Sequence, residues 1–340
     1  MARKAAVAAA VGASHGLRRN GARIRKALEV CDLVENAQRV VRASPPLRVL
    51  GLDINTNSTG FAIVTERGRV CRWGHVSTTQ FASADVLQIS AAIDEALADV
   101  HAAVEEQGTE WLVGIEAFMR LFRVGQFHNA GIFQLAQLNG IVSYACWKRF
   151  EALPTHTHPS AARGFFGLSA PSSSSVSKKS SIKQQVMSFF AAQEPALTRA
   201  AGEAASSLEL PRFERTRSGV LADSAFDIAD AYVIAAYTRC MHFQQQLLRE
   251  PQLSERFSTR YLELTHEAAR KRAKKQPISP ELLVLDAMDD LERHAYLQEL
   301  FAFGTEQWVK KHSDCFMLHG EMEADTTDEG LIAEQGKASR

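Results

Sequence analysis

The fold is decided by one stretch of sequence, Leu47-Arg48-Val49-Leu50-Gly51-Leu52-Asp53. A short apolar run of this kind, ending in a carboxylate, is typical of a buried strand. A second run, Trp111-Leu112-Val113-Gly114-Ile115-Glu116, has the same character and also ends in a carboxylate. The sequence therefore predicts two buried strands, each with an acid at its carboxyl end.

The segments between these two strands predict how they are joined. Residues 60–64 and 70–76 flank a Glu66-Arg67-Gly68 turn, which is typical of a hairpin that supplies strands two and three. Residues 84–107 have apolar side chains at spacings of three and four, which predicts an amphipathic helix. In a strand-strand-strand-helix-strand unit the fourth strand can pair beside the first. Asp53 and Glu116 would then emerge at one edge of the sheet.

Later segments complete the predicted architecture. Residues 131–150 are helical in pattern, residues 153–157 suit a fifth strand, and a helix precedes the Ser-rich stretch 169–181, which predicts a loop. A strong helical pattern returns at residues 223–246. We expect an α/β protein with a mixed five-stranded sheet flanked by helices, followed by a helical C-terminal extension.

Composition excludes several classes of protein. The 340 residues carry 39 Lys and Arg against 39 Asp and Glu, so bulk positive charge does not draw this chain to nucleic acid. No apolar run is long enough for a membrane-spanning helix, and we expect no membrane partner. The cysteines are widely spaced and odd in number, so we expect reduced, mostly buried thiols; they are Cys31, Cys71, Cys146, Cys240 and Cys315.

Charge patterning divides the chain into three predicted parts. The first 28 residues contain Arg and Lys but no Asp or Glu, which is typical of an organellar transit peptide; the alternative is a basic arm that stays attached. Scarce serine favours a mitochondrion over a chloroplast or other plastid. We expect a transit peptide or disordered basic leader at residues 1–45, the main α/β domain at 46–247, and a charged helical extension with a disordered acidic tail at 248–340.

The late helix adds two acids to the pair on the strands. Asp227 and Asp230 are three residues apart, so they share one helical face within an apolar segment. Grouped carboxylates repel one another and favour divalent cations, and Mg²⁺ prefers oxygen ligands. We therefore expect Asp53, Glu116, Asp227 and Asp230 to hold two Mg²⁺ ions, with Mn²⁺ able to substitute, and to hydrolyse phosphodiester bonds. Asp223, one turn earlier, is either a supporting acid or a helix N-cap.

These motifs together resemble the RuvC-like Holliday junction resolvases of the RNase H-like superfamily, over roughly residues 48–245. In that family a first strand ends in Asp, a fourth strand ends in Glu, and a late helix carries Asp-x-x-Asp-Ala, similar to Asp227-Ile228-Ala229-Asp230-Ala231 here. The resemblance implies an RNase H-like fold, a Mg²⁺-dependent endodeoxyribonuclease, branched four-way junction DNA as substrate, and a homodimer that nicks opposing strands. The chain lacks the Pro-Gly often found after the first Asp of the family.

The resemblance also suggests which residues contact the substrate. Phe118 lies where the family inserts an apolar wedge, although Met119 and Phe122 are alternatives and core packing is an equal possibility. Lys183 resembles the family's basic catalytic residue, with Lys178 and Lys179 as rivals. Further candidate nucleic-acid contacts are Arg120 and Arg123, which alternate with phenylalanines, and Arg163.

Two other functions compete with a nuclease. The segment from Asp53 to Gly60 followed by a hairpin also resembles the phosphate-binding turn of the actin and sugar-kinase ATPases, but a second Gly-rich phosphate loop is missing from the sequence. A binding or assembly protein that keeps the fold without catalysis is the other alternative. The presence of all four acids favours the nuclease.

Overall fold

The computed structural model describes residues 20–82, 85–104, 107–118, 129–168, 178–193, 213–273 and 280–317. The strands are β1 (Leu47–Ile54), β2 (Ser58–Thr65), β3 (Val70–Ser77), β4 (Glu110–Glu116) and β5 (Thr155–Thr157). The helices are α1 (Gly21–Leu28), α2 (Leu33–Arg42), α3 (Val86–Val104), α4 (Asn129–Phe150), α5 (Pro159–Phe165), α6 (Lys178–Gln193), α7 (Asp223–Leu248), α8 (Pro251–Ala273), α9 (Pro280–Ala287) and α10 (Asp290–Lys311).

The five strands form one mixed sheet in the order β3-β2-β1-β4-β5. The hairpin strands β2 and β3 are antiparallel to their neighbours, whereas β4 runs parallel to both β1 and β5. The predicted mixed five-stranded sheet with flanking helices is confirmed. Only the fifth strand is shorter than expected, since it begins at Thr155 instead of residue 153.

Helices cover both faces of the sheet. On one face, Leu50, Leu52 and Ile63 pack with apolar side chains of α3 and α4. On the opposite face, Val49, Ala62 and Val64 belong to a larger core that is centred on α7. Strands that are covered on both faces are apolar throughout, which explains why β1 shows no alternation of polar and apolar residues.

Two glycines allow α7 to lie directly on the sheet. A Cβ atom added at Gly60 would collide with the backbone of Asp227, and one added at Gly51 would collide with the carbonyl of Ala231. The absence of side chains at these positions lets backbone approach backbone. Gly51 and Gly60 therefore determine how closely Asp227 and the neighbouring residues of α7 approach the sheet.

Replacing Gly60 by Ala should test this close approach. The added methyl group must displace α7, so we expect the free energy of unfolding to fall by about 1–3 kcal/mol. A matched control is Gly131→Ala, because Gly131 lies in α4 and a Cβ atom there meets nothing within 4 Å. This control should be neutral or stabilising by up to about 1 kcal/mol in urea unfolding. Equal stabilities of the two variants would contradict the proposed packing.

The structure of the segment before β1 shows that the predicted leader does not extend to residue 45. Residues 20–45 are not an appendage, because α1 and α2 bury Ile24, Leu28, Ala37 and Val41 in the same core as α7. An amphipathic helix with a basic outer face has the same acid-poor composition as a transit peptide, so composition alone misplaced the boundary. Residues 1–19 lie outside the described residues.

The helices after α7 extend the same core. Phe257 of α8 packs against Phe301 of α10, and both are fully buried. Arg239 of α7 is buried and donates hydrogen bonds to the carbonyls of Glu66 at 2.8 Å and Phe316 at 2.5 Å. It thus links the hairpin turn to the short 3-10 helix Ser313–Phe316. In the described ranges after α7 the predicted extension is helical and packs on α1 and α2, whereas the predicted acidic tail after residue 317 lies outside the described residues.

Two expectations from composition can be compared with the described residues. All five cysteines are free, and all except the half-buried Cys71 are buried, as predicted. Burial raises the pKa of Cys146 to about 12, which keeps its thiol protonated. Within the described ranges, no helix has both the length and the apolarity to cross a bilayer.

Candidate metal centre

The first two acids of the centre stand side by side on parallel strands. Leu52 of β1 pairs with Ile115 of β4, so the next residues along, Asp53 and Glu116, occupy neighbouring positions at the carboxyl ends of these strands. Asp53 also pairs across to Gly60 of β2, where α7 approaches most closely. The sheet topology therefore brings together two acids that are far apart in the sequence, as predicted.

The other two acids reach the same edge from α7. Asp227 lies over Gly60, which is the partner of Asp53 in the sheet. Asp230 follows three residues later on the same face of α7. Burial raises the pKa of Asp53 most, and the negative charges of Glu116, Asp230 and Asp227 raise it further, as expected for carboxylates that lie close together. The four predicted acids thus converge at one edge of the sheet.

Asp53 and Glu116 are the most strongly coupled pair. Asp53 is only 7% exposed, and burial raises its pKa well above the usual value for aspartic acid. Burial also raises the pKa of Glu116, whereas a hydrogen bond from the Asp53 carboxyl acts in the opposite direction. A hydrogen bond between two carboxyl groups requires a proton on one of them. Ionising both members of this pair without a cation is therefore costly.

The acids of α7 have raised pKa values for the same main reason. Burial raises the pKa of Asp227, and the nearby Ser58 hydroxyl and Lys183 ammonium lower it. The Ser58 hydroxyl is buried beside this carboxylate without a regular hydrogen bond. Burial also raises the pKa of Asp230, and here the guanidinium of Arg163 is the largest opposing influence. All four acids are thus costly to keep ionised without a cation.

Two predicted basic residues border the acids. Arg163 of α5 donates a hydrogen bond from Nε to Oδ1 of Asp230 at 3.1 Å, and its Nη2 forms an ion pair with the same oxygen at 2.8 Å. Lys183 of α6 donates to Oδ1 of Asp223 at 3.1 Å, and its ammonium lies 4.7 Å from the centre of the Phe226 ring. Asp223 is the first residue of α7, and the N-cap is Ala222, so the alternative that Asp223 caps the helix is wrong.

The remaining predicted contact residues are less completely described. Phe118 lies two residues beyond Glu116 and is half-buried, so its proposed role as a wedge stays a prediction. Arg120 and Arg123 lie outside the described residues. Lys178 and Lys179 begin α6, but their side chains lie outside the described part of the chain.

The donor set suits a hard divalent cation. All four side chains offer carboxylate oxygens, which are the ligands that Mg²⁺ and Mn²⁺ accept. Across the described ranges, however, no three Asp, Glu, His or Cys side chains surround one point as metal ligands. Asp53 lies beside Glu116, and Asp230 is paired with Arg163. The acids fit the ion in chemistry and charge.

Two residues that contact the acids were not predicted from the sequence. Asn139 of α4 is 3% exposed and donates from Nδ2 to the carbonyl oxygen of Glu116 at 3.1 Å, which fixes the end of β4. A polar residue inside the apolar pattern of α4 was the available signal for it. Ser58 gave no such signal, because its position beside Asp227 depends on the packing of α7 on β2.

Comparison with known proteins gives only remote likenesses. No protein-family model matches the chain, and no curated protein sequence matches it significantly. Among solved structures, the fold is similar to Thermus thermophilus RuvC, alone and in complex with a Holliday junction substrate, at 13% identity and a TM-score of 0.34. Both alignments cover 59% of this chain and 96% of that one. The yeast mitochondrial Holliday junction resolvase Ydc2 aligns at 15% identity and a TM-score of 0.36, over 68% of this chain and 98% of that one.

Proposed function

We propose that this protein is a divalent-metal-dependent nuclease that hydrolyses phosphodiester bonds. The observation that supports the proposal is the convergence of Asp53, Glu116, Asp227 and Asp230 from two parallel strands and one helix. Buried acids without a structural partner are costly, so their grouping calls for a function. Phosphoryl transfer at a carboxylate-bound pair of Mg²⁺ or Mn²⁺ ions is the reaction that such a donor set suits best.

Each residue has a distinct part in this reaction. When bound, the cations supply the positive charge that stabilises a phosphoryl transition state. Asp53 and Glu116 would hold the cations from the sheet edge, and Asp227 and Asp230 would hold them from α7. Lys183 is free to contact the scissile phosphate, because its partner Asp223 is 92% exposed and such surface pairs contribute little.

The proposed substrate is branched DNA, in the form of a four-way junction. The proposal rests on the resemblance of the acid motifs to the RuvC-like resolvases, and the sheet order β3-β2-β1-β4-β5 is compatible with the RNase H-like fold that this resemblance implies. Arg120 and Arg123, which follow β4 closely in the sequence, remain candidate phosphate contacts, and Phe118 remains the candidate wedge.

A substrate panel tests the proposed function. The full chain is incubated with synthetic four-way junctions, flaps, RNA–DNA hybrids and single strands, in Mg²⁺, in Mn²⁺ and in EDTA. We expect metal-dependent cleavage, with four-way junctions cut in preference to the others. Junction binding without cleavage in any metal would replace the nuclease by the binding or assembly protein. ATP binding without any nucleic-acid cleavage would favour the actin-like ATPase.

We also propose that the chain acts as a homodimer that uses α4. Phe133, Tyr144 and Trp147 are 62%, 57% and 46% exposed and lie on one face of this helix. Gly140 lies on the same face, and an added Cβ atom there meets nothing within 4 Å, so a second helix can approach closely. A surface with three large exposed rings suits a second copy of the chain.

If the chain dimerises through α4, a substitution on the exposed face of this helix should change the mass measured in solution. In sedimentation equilibrium we expect the 37.5 kDa chain to run at twice its mass, and Trp147→Glu to run as a monomer because a charge cannot be buried at an apolar interface. Leu291→Glu is the matched control, since Leu291 is 80% exposed on α10. A wild-type monomer, or a dimer that persists in Trp147→Glu, would contradict the use of α4.

A mitochondrial location is likewise a proposal. Arg3, Lys4, Arg18 and Arg19 precede the first described helix, and residues 1–19 contain no acid. This composition suits import into a mitochondrion.

A further inference from the structure

Arg163 has an unusual position for a residue beside an acidic site. Its guanidinium donates a hydrogen bond from Nε and forms an ion pair through Nη2, both to Oδ1 of Asp230, and the two side chains are only 23% and 15% exposed. Its helix α5 is anchored on both sides of Arg163, because Ala162 and Phe165 are buried and the Phe165 ring lies edge-on to Tyr237 of α7. The cation is therefore fixed among the acids before any ligand binds.

The other cation of the site is held differently. Lys183 pairs with Asp223, which projects into solvent and is not one of the four converging acids. Arg163 instead forms its ion pair with Asp230, which is one of the four converging acids. Its positive charge also lowers the pKa of Glu116, against the larger effect of burial. A half-buried arginine pair of this kind is stronger than an exposed lysine pair. Arg163 is thus the cation that competes directly with a metal ion for Asp230.

The charges at the site indicate when a metal ion can displace Arg163 from Asp230. The four carboxylates carry four negative charges when ionised, whereas two divalent ions and the guanidinium together carry five positive charges. One further negative charge is needed for balance, and a phosphodiester group supplies it. With only one divalent ion bound, Arg163 can stay on Asp230 and the site keeps a net negative charge.

We propose that Arg163 couples metal loading to substrate binding: it holds Asp230 in the free protein, so that one divalent ion binds first and the second enters only with the substrate phosphate. The phosphate offers the guanidinium an alternative anionic partner, which releases Asp230. This inference rests on the proposed nuclease function. It changes the role predicted for Arg163 from a simple phosphate contact to a counter-ion that is exchanged between Asp230 and the phosphate.

The inference is tested by counting bound Mn²⁺. Free Mn²⁺ is measured by electron paramagnetic resonance during titration of the full-length protein, without DNA and with a phosphorothioate-substituted four-way junction that resists cleavage. We expect one ion per chain without DNA and two with it. Arg163→Gln should bind two ions without DNA, because nothing then competes for Asp230. The matched control Arg149→Gln breaks a pair of the same geometry, with Nε and Nη2 on Oδ1 of Asp94, and should stay at one ion.

The outcomes separate this inference from the nuclease proposal. Two ions in the free wild-type protein, or one ion in Arg163→Gln without DNA, would overturn the role of Arg163 and leave the metal site in place. No bound ion under any condition would overturn the metal site itself. If circular dichroism shows that Arg163→Gln does not fold, Arg163→Lys is used; it keeps the charge but loses the paired hydrogen bonds, and we expect partial loading of the second ion without DNA. A single ion there would contradict the inference.

Discussion

Asp53→Asn and Asp227→Asn should each abolish metal-dependent cleavage while leaving junction binding largely intact. Asparagine keeps the shape of the side chain but removes the charge that holds the cation. Losing several kcal/mol of transition-state stabilisation corresponds to a fall in rate of about 10³-fold or more. We expect binding to persist, because the proposed nucleic-acid contacts are positively charged and aromatic side chains and not the acids.

Single-turnover cleavage of a labelled four-way junction, beside an electrophoretic binding assay, measures both effects. The control Asp290→Asn removes a fully exposed acid from the first turn of α10 and should cleave at the wild-type rate. Cleavage by Asp53→Asn or Asp227→Asn at the wild-type rate in Mg²⁺ would show that the altered residue does not serve the reaction.

The second large effect concerns the stability of the metal-free protein. The pKa values of Asp53, Glu116, Asp227 and Asp230 are raised in the folded state, chiefly by burial. An acid with a raised pKa binds its proton more tightly when folded, so it destabilises the fold once the pH exceeds its unfolded pKa of about 4. In EDTA, the free energy of unfolding should therefore fall as the pH rises from about 4 through the raised pKa values.

Asp53→Asn should remove part of this loss of stability at neutral pH. In EDTA the variant should be more stable than the wild type, because the cost of ionising a buried carboxyl at neutral pH is removed, and its stability should depend less on pH. A cation at 100 times its dissociation constant stabilises the wild type by about 2.7 kcal/mol, and Asp53→Asn should lose most of this gain. Urea unfolding in EDTA and in Mg²⁺ measures both effects. A variant that is less stable than the wild type in EDTA and equally stabilised by Mg²⁺ would contradict the account.

The sequence predicted the site well where the pattern of the backbone determines it. Asp53 and Glu116 end two apolar runs, and parallel pairing of β1 with β4 is enough to make these acids neighbours. Asp227 and Asp230 are related by the helical period alone. The sheet, the hairpin and the late helix follow from equally local patterns, so their bounds were predicted to within a few residues.

The parts that were missed depend on contacts between distant segments. Arg163 and Asp230 are 67 residues apart, and no spacing in the sequence indicates that α5 lies beside α7. The role of Gly60 is similar, because its lack of a side chain matters only where α7 crosses β2. The helices α1 and α2 fall within the predicted leader, because that prediction used only the basic, acid-poor composition, whereas the burial of Ile24 and Leu28 depends on contacts with distant helices.

Anomalous diffraction from crystals soaked in Mn²⁺ is the most direct test of the metal site. We predict a Mn²⁺ peak at the sheet edge, in contact with a carboxylate oxygen of Asp53 and with at least one oxygen from Glu116, Asp227 or Asp230. A peak at another place on the molecule, or no peak while the four side chains are well ordered, would contradict the metal centre and the nuclease function derived from it.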